Sequence, residues 1–176
     1  RAQLRQFQIQ LNIDSLLTFS GMQTRALRRA VPPPTYYQKG KKKNYYSAGC
    51  LWNLDLSDHV QREIAVNSLS FARLLTQRLC KAGEVILDVG ANRGNYCIPL
   101  AKQLGGTSVI HAFEPHPAIY TDLSDHARLN KLSGDKIVMH QVAVGKTQSM
   151  LIFKQPKSNS GATTAVRELA AHDVLT

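Results

Sequence analysis

The sequence predicts an α/β protein, a parallel sheet flanked by helices in three layers, with a basic helical or irregular extension at its N-terminus. Three observations carry this. Val85, Ile86, Leu87 and Val89 form an apolar run that ends in a glycine-bearing turn, the pattern of a strand buried on both faces. Tyr96, Ile98, Leu100, Ala101 and Leu104 then follow at helical spacing. A second apolar run at 108–113 starts after Gly105 and Gly106, so strand, helix and strand recur in the order of a βαβ unit.

Taken in order, the chain starts with a strongly charged arm. Residues 1–45 hold nine Lys/Arg and one acid, +8 of the formal +10, so the rest of the chain is nearly neutral. This divides the chain into a basic extension and linker, 1–46, and a domain, 47–176. Leu4, Phe7, Leu11, Leu16 and Leu17 suggest helical pieces that Asn12 or Asp14 could cap, and Pro32, Pro33 and Pro34 end them. Lys39 to Lys43 lie between the pairs Tyr36-Tyr37 and Tyr45-Tyr46. Lysines on phosphates with rings on bases would suit a nucleic acid. A glycine-containing patch this short reads instead as a solvated linker whose tyrosines dock on the domain, and nucleic acid is not the expected partner.

Residues 52–58 read as a strand or turn entering the domain. Residues 59–79 read as one amphipathic packing helix capped by Asp58 or Ser57 and ended near Gly83. After the central βαβ unit come a helix over 118–130, a third parallel strand over 136–144, a further strand over 150–154 and a loop over 154–164 near the substrate. No apolar run approaches the ~20 residues of a membrane span. Cys50, Cys80 and Cys97 show no C-x-x-C spacing, which fits a reducing cytoplasm and neither a zinc site nor a disulfide framework. Cys97 reads as a small core residue, His111 as packed within the sheet, and His59 and His126 as helix-surface residues. His116 is a lesser candidate for ligand contact, and no metal-ligand cluster is visible.

The chemistry concentrates around the first turn. Gly90 and Gly94 let backbone approach a ligand, and free N–H groups at the start of the next helix attract a carboxylate or phosphate. Asp88 ends the strand with acceptors for an ammonium or hydroxyls. Glu114 ends the second strand where a carboxylate accepts the two hydroxyls of a ribose. Together these make a nucleoside site. The dinucleotide fingerprint G-x-G-x-x-G needs a glycine where Asn92 stands, and Asp88 would sit poorly beside a pyrophosphate. A nucleoside without phosphates, S-adenosylmethionine, is the better fit. Val142 and Ala143, at the end of the third strand, are candidates for the wall of an adenine pocket.

Asp88-Val-Gly-Ala-Asn-Arg-Gly94, then Ala112-Phe-Glu-Pro-His-Pro117, Leu129-Asn130 and Gln141-Val-Ala-Val-Gly145 resemble the FkbM family of S-adenosylmethionine-dependent methyltransferases. Trp52-Asn-Leu-Asp-Leu-Ser-Asp58 and Ser160-Gly-Ala-Thr-Thr164 are similar to segments that flank the same core. The resemblance covers roughly residues 50 to 176. It implies a Rossmann-like class I methyltransferase acting on oxygen of a sugar, polysaccharide or natural product. The cofactor residues are then Asp88, Gly90, Asn92, Gly94, Glu114 and Ala143, and the catalytic base is unassigned. In the family a Lys-Ile-Asp-x-Glu-Gly-type strand follows, which implies a fragment with an incomplete sheet, an unpaired edge and low stability in isolation. Two other readings stay open. One is a nicotinamide-dependent enzyme on the same architecture, and the other is a non-catalytic module whose basic arm binds an anionic partner. Glu114→Ala is expected to weaken cofactor binding without unfolding the chain.

Overall fold

The computed structural model describes residues 30–66, 76, 78–132, 134–146, 150–154 and 164–169. Its centre is a three-stranded parallel sheet in the order β3 (Val85–Val89), β4 (Val109–Phe113), β5 (Ile137–His140). Two helices cross between them, α2 (Cys97–Leu104) and α3 (Pro117–Leu129). The βαβ arrangement read from the alternating periodicities is therefore present twice. Before it lies an antiparallel hairpin, β1 (Lys43–Ser47) and β2 (Cys50–Leu54), and a short helix, α1 (His59–Ala65). After it, β6 (Met150–Lys154) pairs antiparallel with β7 (Thr164–Leu169). The expected helical pieces of 1–29 and the loop over 155–163 lie outside the described residues.

Register sorts the parallel sheet into two faces. Ile86 pairs with Ile110, which pairs with Ile137, and Asp88 pairs with Ala112, which pairs with Met139. That face packs on α2, and Ile110, Ala112 and Ile137 are essentially inaccessible. The other face carries Val85, Leu87 and Val89, which are 58–70% exposed. So β3 is buried on one face only, contrary to the reading of its apolar run. The run records a strand suited to cover on both sides, and no described element covers the second.

The hairpin belongs to the same core. Tyr45, Cys50, Trp52 and Leu54 lie in one buried cluster with Ile64, Ile98, Leu100, Ile110 and Leu123. Part of the lysine–tyrosine run is thus strand β1, with Tyr45 turned inward and Tyr36 exposed. Asp58 caps α1 by accepting the Gln61 N–H at 3.1 Å. The long helix expected over 59–79 is interrupted, because α1 ends at Ala65 with Val66 as its C-cap. Thr76, Arg78 and Leu79 are helical again, and most of the intervening span lies outside the described residues.

β5 is also shorter than expected and stops at His140. Its partner β4 ends at Phe113, followed by Glu114 and Pro115, and proline has no N–H to extend a ladder. Gln141 to Gly145 leave the sheet exposed.

One glycine in the central unit is fixed by packing. A Cβ on Gly94 would come within 2.7 Å of Ile98 Cγ1 and 3.0 Å of Leu123 Cδ1, at a φ of +89°. Overpacking costs ~1–3 kcal/mol and a left-handed non-glycine residue roughly another 1–2, so Gly94→Ala is expected to lose about 2–5 kcal/mol. Gly90, at φ +80°, has nothing within 4 Å of its added Cβ. Gly90→Ala should then lose only the backbone part, and urea-unfolding midpoints of the two variants test the difference.

Candidate functional site

The turn between β3 and α2 is held by its own N–H groups. Those of Gly90 and Ala91 both donate to Phe113 O at 2.9 Å. The Asn92 N–H donates to Glu114 Oε2 at 3.0 Å, and the Arg93 N–H to Asn92 Oδ1 at 2.9 Å. The Gly94 N–H closes on Ala91 O at 2.9 Å. All five are consumed inside the protein. A phosphate cradle needs such groups pointing outward, so the turn does not offer the anion site that free N–H groups would make. Asn92 sits at φ +50°, a conformation asparagine tolerates better than most residues, and its side chain serves the turn itself.

Glu114 is buried and bonded at both oxygens. Oε1 accepts the His116 N–H at 2.9 Å while Oε2 holds Asn92. The acid expected to meet a ribose therefore also ties the end of β4 to the turn after β3. This gives Glu114 a structural duty that the sequence reading did not assign to it. His116 is the N-cap position of α3, with Pro117 as the first helical residue.

Asp88 stands apart from that cluster. Its carboxylate accepts from the backbone N–H and thiol of Cys97, where α2 begins without a capping side chain of its own. Its other oxygen, Oδ2, is buried and has no hydrogen-bond partner. Burial pushes the Asp88 carboxyl above the usual carboxylate range. It also pushes the Cys97 thiol well up, and Cys97 packs in the core at 1% exposure. Asp88 lines a cavity of about 370 Å³ with Thr76, Ile86, Leu87, Tyr96, Cys97, Leu100 and Ile110. That volume lies within the range of small-ligand sites.

Of the six candidate residues, Gly90, Asn92, Gly94 and Glu114 meet at the turn, and Asp88 faces the cavity at the end of the same strand. Ala143 lies beyond the shortened β5 and is exposed, as is Val142. His126, expected on a helix surface, is 1% exposed. Its Nδ1 lies 3.1 Å from Arg93 O in the turn, and burial holds its pKa below the usual histidine value. Arg93, His126 and Asp122 were missed as neighbours of the site. The available signal was a polar stripe on α3, Asp122, His126 and Asn130, at intervals of four residues beside its apolar stripe. Among the described residues no group of three or more His, Cys, Asp or Glu side chains could hold a metal ion, and no helix is long and apolar enough to cross a membrane.

Residues 88–173 match the family model described as the methyltransferase FkbM domain. This segment is similar to FkbM methyltransferase domains. The cofactor of that family is S-adenosylmethionine. Among solved structures, a Pyrococcus horikoshii protein described as a transferase shares the fold at a TM-score of 0.50. It is 19% identical over 61% of this chain and 38% of its own. M. jannaschii TYW2, solved in complex with AdoMet, is 26% identical with a TM-score of 0.48, covering 58% of this chain and 44% of that one. Trm5b from Pyrococcus abyssi is 22% identical with a TM-score of 0.45, covering 58% and 28% respectively. This chain spans less than half the length of these structures. No match is found among curated proteins.

Proposed function

We propose that the FkbM-like domain of this chain binds S-adenosylmethionine and transfers its methyl group to an acceptor oxygen, on a sugar, polysaccharide or natural product. The observation that carries this reading is the buried, unpartnered Oδ2 of Asp88, a residue that lines the cavity beside β3. A buried carboxylate oxygen without a donor is costly unless a ligand supplies one, and an ammonium or hydroxyl does so. In this reading Asp88 takes a donor of the cofactor. Gly90, Asn92 and Gly94 shape the turn against it, Glu114 adds acceptor capacity toward the ribose, and Ala143 contributes to the adenine wall.

The cofactor supplies an electrophilic methyl on a sulfonium, which is already a good leaving group. The protein's part is then mainly orientation, which can supply ~7–11 kcal/mol at best. An alcohol acceptor also needs a base to take its proton. Asp88 and Glu114 are engaged in binding and turn geometry, and neither is assigned that role. The three free cysteines suit a reducing compartment, and we place the protein in the cytoplasm.

The internal use of the turn's N–H groups favours this ligand over a nicotinamide dinucleotide, whose pyrophosphate would need them. A thermal-shift titration with S-adenosylmethionine, S-adenosylhomocysteine and NADH separates the two. At a hundred times its dissociation constant a ligand adds ~2.7 kcal/mol to the folded state. For a chain of this size each kcal/mol moves the midpoint by roughly 2–4 °C. The expected result is a shift with the two adenosyl ligands and none with NADH. A shift with NADH alone overturns the proposal, and no shift with any of them favours a non-catalytic module.

A further inference from the structure

Asp122, His126 and Asn130 stand one turn apart on or beside α3, and each reaches out of the helix to another part of the chain. Asn130 Oδ1 accepts the Leu51 N–H at 2.9 Å while its Nδ2 donates to Leu51 O at 2.7 Å. The amide thus pairs with both backbone groups of one β2 residue, as a neighbouring strand would. The His126 ring lies between two carbonyls, Arg93 O in the turn and Asn53 O on β2, each at 3.1 Å. The Trp52 ring packs edge-on against it with centroids 5.2 Å apart. Asp122 accepts from Arg93 Nε at 2.9 Å, and its other oxygen pairs with Lys42 Nζ at the start of the hairpin.

Two of these residues therefore hold Arg93 of the turn, and all three hold the hairpin. Both are nearly inaccessible where they meet, with Asp122, His126 and Arg93 each under 8% exposed. Polar groups this buried have no water to fall back on, so loss of one partner propagates to the next. Both partners of His126 are acceptors, and a neutral imidazole carries one N–H. It can donate to the turn or to the hairpin, which makes its bonding to one sensitive to the state of the other.

We propose that Asp122, His126 and Asn130 are positioning residues that couple docking of the β1–β2 hairpin to the conformation of the turn between Gly90 and Gly94. This rests on the reading that the turn holds the cofactor. The hairpin and the cofactor then stabilise each other, because a coupling between two sites is reciprocal.

Native-state amide exchange on the whole chain tests this at named amides. Without ligand, Asn130→Ala undocks Leu51 but touches nothing in the turn. The expected result is faster exchange at the Asn92 and Gly94 amides by about five-fold or more, relative to the Ile110 amide in the parallel sheet. A merely structural loss would speed all three alike, and that result, or an unchanged turn, overturns the proposal. Should Asn130→Ala fail to fold, Asn130→Asp keeps the acceptor for the Leu51 N–H and loses the donor to Leu51 O, and an intermediate acceleration confined to the turn is expected. In the unmodified chain, saturating S-adenosylhomocysteine is expected to slow exchange at Leu51, and an unchanged Leu51 amide in a chain that binds the ligand overturns the coupling. Failure of the unmodified chain to bind is a failure of the cofactor reading, while the turn amides still decide the coupling.

Discussion

Glu114→Ala is expected to lower the stability of the ligand-free chain by roughly 2–6 kcal/mol and to abolish measurable cofactor binding with it. The substitution removes the acceptors of two backbone donors, Asn92 N–H and His116 N–H, from a buried position. Each donor left without an acceptor costs roughly 1–3 kcal/mol. The sequence alone leads to weaker binding in a chain that stays folded, and the two hydrogen bonds add a stability loss to that expectation. Glu114→Gln separates the two duties, since the amide keeps one acceptor oxygen but presents donors where His116 or Asn92 also donates. It should unfold at a lower denaturant concentration than the parent and a higher one than Glu114→Ala. Urea unfolding of all three chains, with calorimetric titration of S-adenosylhomocysteine, is the measurement. A Glu114→Ala chain of parental stability would show that water satisfies both donors and that the clamp is dispensable.

The same residue shows what could be read in advance. The β3 strand, its turn, α2, β4 and α3 were legible because their periodicities and punctuation are local: an apolar run, two glycines, a helical stripe, a proline after an acid. The acid itself was legible as a ligand group but not as a clamp, because the clamp joins residues 22 apart in sequence. Ends were read less well than centres. Val142 and Val144 continue the alternation of β5, yet the strand stops at His140, since ladder formation needs a partner and β4 has run into Pro115. His126 shows the same limit from the other side. A helix-surface histidine looks solvated in one dimension, and it is buried because the hairpin folds back onto α3, through hydrogen bonds between residues up to 80 apart in sequence. The strand β7 was not anticipated either. Thr164 to Leu169 lack clean alternation, and its pairing with β6 is set across a long connection.

Asp88→Asn is expected to act in opposite directions on stability and on binding. In the ligand-free chain the ionised carboxylate is a cost, since its pKa is raised by burial and Oδ2 has no partner. A carboxyl whose folded pKa lies above its unfolded value contributes stability that is fully present below the unfolded value, about 3.9, and is lost as pH rises through the folded one. An asparagine, which carries no charge to desolvate, avoids that loss. Its Oδ1 can still accept the Cys97 N–H at the start of α2. The thermal midpoint of Asp88→Asn should therefore exceed that of the parent at pH 7, and the advantage should shrink as pH is lowered towards 4. Binding should fall instead. A charge-assisted hydrogen bond is worth roughly 1.5–3 kcal/mol, so replacing its acceptor with an amide predicts a loss of about ten- to a hundred-fold in S-adenosylhomocysteine affinity. A lower midpoint at pH 7 would mean that the carboxylate serves chiefly as the cap of α2. Unchanged affinity would mean that the cavity beside Asp88 is not where the cofactor is held. The predicted combination, a more stable chain that binds worse, is what a group kept for its ligand at the expense of the fold should give.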